Sequence, residues 1–457
     1  MNRFTSIWGT MTRTVLSSVA PVVLALTTLS AQAADEAMVQ RGEYLARAAD
    51  CVACHLDENG GKPFAGGRGF KLPFGMLYSP NITPDKETGI GNYSFEDFDK
   101  AVRHGIAKEG HSLYPAMPYP SYARVTEEDM RALYAYFMHG VQPVTQPNQD
   151  VAIPWPLSMR WPLAVWRKLF APEVADFKPA QGMDPVVARG AYLVEGLGHC
   201  GACHTPRGIG MQEKALSDAD GKDFLAGSAP LEGWVAKSLR NDHKEGIARW
   251  DEAQLVEFLK TGRSDDMAVF GGMTQVVEHS LQYMSDEDLT AIVRYLKTLS
   301  PVHPDAPPYQ RNNAVSEMLV KGDESKRGAA VYIDNCNACH RSDGLGYTRA
   351  FPALAGNTVV QTEDPTSLIH IVLEGGKLPG LKSAPSTIVM PAFGWRLSDQ
   401  QVADVVTFIR TSWGNKGGPV DADAVAKLRN SDNRTTSGDD IGQTAYSNQP
   451  EQNPTPR

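Results

Sequence analysis

The sequence predicts an all-α chain of three small domains in tandem. The first observation is repetition: Cys51-Val52-Ala53-Cys54-His55 returns as Cys200-Gly201-Ala202-Cys203-His204 and as Cys336-Asn337-Ala338-Cys339-His340, and the three copies use all six cysteines of the 457 residues. The second is that similar segments flank every copy on both sides. The third is chemical. Two thiols one helical turn apart, followed by an imidazole, form the attachment signature of c-type haem, in which the thiols add across the vinyl groups and the histidine becomes the proximal iron ligand. A covalent haem at the centre of each repeat would supply the core that so short a unit otherwise lacks. Disulfides would not require a histidine after every pair. A four-ligand zinc site would have to combine cysteine pairs lying more than a hundred residues apart.

The length suits about three domains. Residues 1–33 read as a secretory leader: Arg3 and Arg13 open it, an apolar run from Val15 to Leu29 follows, and Ala31-Gln32-Ala33 is a small-residue cleavage signal. Cleavage after Ala33 would change the formal net charge from -9 to -11, because the leader holds those two arginines and no acid. Export fits haem attachment, which takes place outside the cytoplasmic membrane. The acidic balance argues against nucleic acid as a partner. No later stretch reaches the ~18 apolar residues of a membrane-spanning helix, so membrane contact would be peripheral.

In order, the chain divides into a first domain over 34–145, a Trp/Pro-rich linker over 146–182, a second domain over 183–300, a linker over 301–322, a third domain over 323–415 and a polar tail over 416–457 that reads as disordered. Each domain opens on a helix carrying Arg41-Gly42-Glu43-Tyr44, Arg189-Gly190-Ala191-Tyr192 or Arg327-Gly328-Ala329-Ala330. Glycine inside a helix is costly unless another backbone must come close. A middle helix follows the haem motif and ends at Gly105, Gly262 or Gly375, each suited to a C-cap. A closing helix starts at the hydroxyl caps Thr126, Ser285 and Ser398, and the tenth residue after each cap is aromatic: Tyr136, Tyr295 and Phe408. These offsets predict that opening and closing helices cross at the glycine with the aromatic packed beside it. In the first linker Trp155, Trp161 and Trp166 mix with Arg160, Arg167 and Lys168, a combination suited to a membrane interface, a docking surface or a linker folded over its neighbour.

An electron carrier needs a sixth ligand opposite the histidine, whereas an iron that does chemistry needs an open position. After His340 the chain has one methionine, Met390, eight residues ahead of Ser398. The matching residues are Met117, nine ahead of Thr126, and Met273, twelve ahead of Ser285. Met76, Met130 and Met138 compete in the first domain and Met267 in the second, since methionine is more often core filler than ligand. His104, His111, His199, His279 and His370 recur at no equivalent place and read mostly as surface or helix-end residues. The iron ligands are thus expected to be His55 with Met117, His204 with Met273 and His340 with Met390. His/Met ligation suits one-electron transfer, because the soft thioether favours ferrous iron. No catalytic residue set stands out. A multihaem peroxidase-like enzyme with one open iron, or a freely diffusing periplasmic carrier, remains as an alternative.

From Ala37 to Asn415 the chain resembles the triheme cytochrome c subunits of bacterial membrane-bound, quinone-linked alcohol, gluconate, sorbitol and fructose dehydrogenases. The resemblance rests on Asn81-Ile82-Thr83-Pro84-Asp85, on Leu113 to Pro120 (LYPAMPYP), on Trp155 to Pro162 (WPLSMRWP) and on Gly198 to Gly208 (GHCGACHTPRG). It implies three tandem class I cytochrome c domains carrying three covalent haems c, with no PQQ or FAD in this chain. It further implies a large PQQ- or FAD-dependent dehydrogenase as partner, with room for a small third subunit. Electrons would then go to ubiquinone at the periplasmic side of the cytoplasmic membrane, with the chain attached peripherally. In such domains a proline carbonyl often orients the proximal imidazole, and Pro352 takes that part here. Trp413, just after the last closing helix, would stand near the quinone.

Overall fold

The computed structural model describes residues 34–436 apart from Glu58, Pro73, Glu232 and Pro385. The expected leader and the last part of the tail, from residue 437, lie outside the described residues. The described residues are mainly helical, with two small two-stranded antiparallel hairpins among them, Gly69–Leu72 with Gly75–Tyr78 and Gly376–Lys377 with Val389–Met390.

Three times the same framework forms. The opening helices are 34–48, Pro185–Tyr192 and Ala329–Asn335. The middle helices are Phe95–His104, Glu252–Thr261 and Thr366–Glu374, each stopped by its glycine at positive φ. The closing helices are Glu127–Ala135, Asp286–Thr298 and Asp399–Arg410, and the hydroxyls of Thr126, Ser285 and Ser398 accept the amides of Asp129, Asp288 and Gln401 at their starts. The glycine crossings form in all three. A methyl at Gly42 would collide with the Ala132 carbonyl and lie 2.6 Å from Tyr136 Cβ; at Gly190 it would collide with the Ala291 carbonyl, 2.8 Å from Tyr295 Cβ; at Gly328 with that of Asp404, 2.9 Å from Phe408 Cβ. The second opening segment has one residue more between glycine and cysteine than the first. A π turn at Leu193–Leu197 absorbs it without breaking the helix.

The first and second domains are joined by a reciprocal exchange. Tyr44 donates its hydroxyl to Asp288 (2.6 Å) and accepts the Ser285 amide (3.3 Å), while Tyr192 donates to Asp129 (2.5 Å) and accepts the Thr126 amide (3.4 Å). Each tyrosine thus caps the closing helix of the other domain. Burial, together with the Asp129 carboxylate, pushes the Tyr192 phenol upward, so it stays a donor. One continuous apolar core runs through both domains, and Arg124 reaches across to Glu195 at 2.7 Å. The third domain has its own core. There Ala330 stands in the tyrosine's place, and Gln401 accepts the Ser398 amide at 3.0 Å, so that helix is capped from within.

Two segments depart from expectation. The tail is not disordered throughout: Ala422–Thr436 is a helix, capped where Asp421 accepts the Ala424 amide. It is held because Val425 is wholly buried in the third core and Arg429 bonds Asp399. The second linker contributes the helix Ala314–Val320, which inserts Leu319 into that core.

Candidate functional site

Each haem motif forms a single helical turn, Cys51–Cys54, Gly201–His204 and Asn337–His340, directly after the opening helix. Three residues apart on a helical turn, the two thiols of each motif share one face, and the histidine follows directly in the chain. All three imidazoles are buried, and each bonds a backbone carbonyl through Nδ1: His55 to Pro80 at 2.8 Å, His204 to Lys237 at 2.7 Å and His340 to Pro352 at 3.0 Å. A carbonyl only accepts, so the proton sits on Nδ1 and Nε2 keeps its lone pair. Burial lowers the pKa of all three rings, that of His204 to about 4, against the opposing carbonyl bond. Neutral, oriented rings with a free Nε2 are what a proximal iron ligand requires. The Pro352 carbonyl stands where the resemblance implied. Pro80 and Lys237 had not been singled out, and for Lys237 no sequence signal existed, because any residue supplies a carbonyl.

The six cysteines are unbridged, and no group of three or more His, Cys, Asp or Glu side chains converges on a metal site among the described residues. A zinc ion would therefore lack its ligand set. The surroundings of the second motif fit haem. Lys237 is enclosed beside Arg249, and burial first, then Arg249, brings its pKa down to about 7. Both cations lie over the Trp250 ring, at 4.7 and 4.6 Å, and the buried Trp250 Nε1 has no partner in the protein. Two half-buried cations and an orphaned buried donor match the propionates of a haem.

The candidate sixth ligands are placed as follows. The Leu113 amide bonds the Gly105 carbonyl and the Val269 amide bonds the Gly262 carbonyl, both at 2.8 Å. Met117 and Met273 each stand four residues further on and pack, half-buried, against the shared core. Met267 lies before that point and is buried. Met390 has a different register, paired with Gly376 in the hairpin beside the middle-helix cap, and packs on the third core. His199 is a half-buried interdomain residue: its Nε2 bonds the Ala49 carbonyl at 3.2 Å. Trp413 does not face outward. It is 1% exposed, donates Nε1 to the Ser342 carbonyl and packs on Tyr332 and Phe408, so it is a core residue. Trp166 is likewise turned inward, whereas Trp155 and Trp161 are exposed.

The three sites are linked through the chain itself. His199, next to Cys200, touches Ala49, two residues before Cys51. The Ala353 amide, beside Pro352, bonds the Asp266 carbonyl in the loop leading to Met273 (3.1 Å), and Lys237 reaches Thr358 of the third domain at 2.6 Å.

The cytochrome c family model matches residues 39–140, 187–300 and 325–413. The chain is 59% identical to the gluconate 2-dehydrogenase cytochrome c subunit of Pantoea cypripedii, over 91% of this chain and 95% of that protein. It is 58% identical to the cytochrome c subunit of the quinone alcohol dehydrogenase of Gluconacetobacter polyoxogenes (87% and 85%), and 38% identical to the fructose dehydrogenase cytochrome subunit of Gluconobacter japonicus (86% and 82%). With three motifs of one geometry, three matched repeats and relatives that span most of its length, the chain belongs to the cytochrome c family, in the group of dehydrogenase cytochrome c subunits.

Proposed function

We propose that this chain is the electron-transfer subunit of a dehydrogenase complex, taking electrons from the PQQ or FAD of a large catalytic subunit and delivering them to ubiquinone on the periplasmic side of the cytoplasmic membrane. Haem c, bound at each motif, supplies one-electron exchange at its iron. The chain's own residues do the rest. His55, His204 and His340, oriented by their carbonyls, would hold the iron through Nε2. Met117, Met273 and Met390 would hold the iron with a soft sulfur and so would favour electron exchange over binding of substrate or oxygen. The observation that carries this reading is the linkage of three like sites within one chain, through His199–Ala49 and Ala353–Asp266, which suits relay between them rather than separate reactions.

The test is purification from solubilised membranes. A large dehydrogenase subunit should co-elute, and its substrate, an alcohol, sugar or sugar acid, should reduce all three haems. A chain that elutes alone and stays oxidised with every such substrate would overturn the assignment.

A further inference from the structure

The helix Trp161–Phe170 is apolar on two faces. Its inner face is fixed: Trp166 Nε1 donates to the Gly210 carbonyl at 2.6 Å, the ring stands edge-on to Tyr119, and Arg167 reaches Ser112 at 3.4 Å. Its outer face carries Trp161, Val165 and Leu169, one turn apart, at 67%, 50% and 68% exposure. The turn before it adds Trp155 and Leu157, and Ile209, beside Gly210, is fully exposed. A helix apolar all round is normally enclosed, and this one is covered on one side only. Charge indicates the missing cover. Residues 151–172 contain no acidic residue in a chain of net charge -9, yet they hold Arg160, Arg167 and Lys168.

We propose that this face beds into the headgroup layer of an anionic phospholipid bilayer, with the Trp161–Val165–Leu169 stripe entering the interface and Lys168 meeting the phosphates. Tryptophan with short aliphatics at the water boundary, flanked by cations, is the composition an anionic interface binds. The inference rests on the proposed delivery of electrons to a lipid-held acceptor, and it adds where the chain meets lipid. Beneath the helix lie Tyr114 and Tyr119, which bracket Met117, and Arg160 stacks on Tyr114 at 4.1 Å. Gly210 belongs to the loop that Arg207 ties back to Ala202 within the second motif. Seating on this face therefore brings the first and second sites toward the membrane.

The haem-loaded full chain should sediment with vesicles of phosphatidylcholine plus phosphatidylglycerol, read by haem absorbance in the pellet, and far less with phosphatidylcholine alone. W161S/V165S/L169S, all at exposed positions, should lower the partition about tenfold or more. K168Q should lower it about fivefold on anionic vesicles only. Equal sedimentation of the triple variant, equal binding to neutral vesicles, or absence of wild-type binding would each overturn the proposal. So would a triple variant that keeps its vesicle binding but no longer co-purifies with the dehydrogenase, since the face would then be a protein interface. Reduction of a short-chain, water-soluble quinone by the complex tests the electron-transfer role separately and should be unchanged in all variants.

Discussion

At the residue scale, position and pKa settle what each group does. Met273 stands four residues beyond the amide that bonds its cap glycine, as Met117 does, so Met273→Ala should remove a third of the near-infrared sulfur-to-iron charge-transfer absorbance and lower one of three reduction potentials. Met267→Ala should leave the spectrum intact and cost about 2–5 kcal/mol in stability, as expected for emptying a buried site. Spectra with the opposite pattern would reassign the ligand. Glu213 is held against Gly201 in the second motif, and burial, offset in part by Arg207, raises its carboxyl from 4.5 to about 7. Between those values the folded chain keeps a proton that the unfolded chain has released. Its stabilising share is therefore full below pH 4.5 and lost as pH rises through 7. Denaturant midpoints should show Glu213→Gln gaining about 1–2 kcal/mol on the wild type by pH 8, after allowance for partial solvent screening, and nothing at pH 4.

At the element scale, the helix crossings tolerate no side chain. Gly190→Ala should destabilise by about 1–3 kcal/mol or displace the Asp286–Thr298 helix, because the added methyl meets backbone at Ala291. The tyrosine exchange is a second joint of the same helices. Tyr44→Phe and Tyr192→Phe each leave a carboxylate and a cap amide without their hydroxyl, costing about 1–2 kcal/mol apiece by chemical denaturation. A cost near zero would mean that Arg41 and Arg189, which already bond Asp129 and Asp288, carry those carboxylates alone. The glycines and the closing-helix aromatics were legible because their offsets repeat three times. The tyrosines were visible as letters, but not as partners, since they act across 244 and 63 residues of chain.

At the scale of the whole molecule, one core spans the first and second domains and a separate core fills the third. Calorimetry should therefore resolve two transitions, and Tyr192→Phe should lower the midpoint of the first while leaving the second in place. A single transition shifted as a whole would show instead that the contacts around Lys237, Trp234 and Ala353 fuse all three domains. Trp234 stands edge-on to His370 of the third domain at 4.4 Å, so that boundary too is packed rather than loose.

The sequence by itself determined the haem chemistry, the threefold repeat, the caps and the helix crossings, because each is a local pattern of residue type and spacing that any fold must respect. Tertiary structure alone decided which carbonyl holds His204, which tryptophans face outward and how the domains pair. Trp413, Trp161 and Trp166 read alike in the sequence, yet the first is enclosed by Tyr332 and Phe408, the second is open to solvent, and the third is pinned to Gly210 on the opposite face of the same helix. Burial is a property of what the rest of the chain brings alongside: Tyr332 reaches Trp413 and Gly210 reaches Trp166 from segments distant in sequence, and Trp161 is left uncovered.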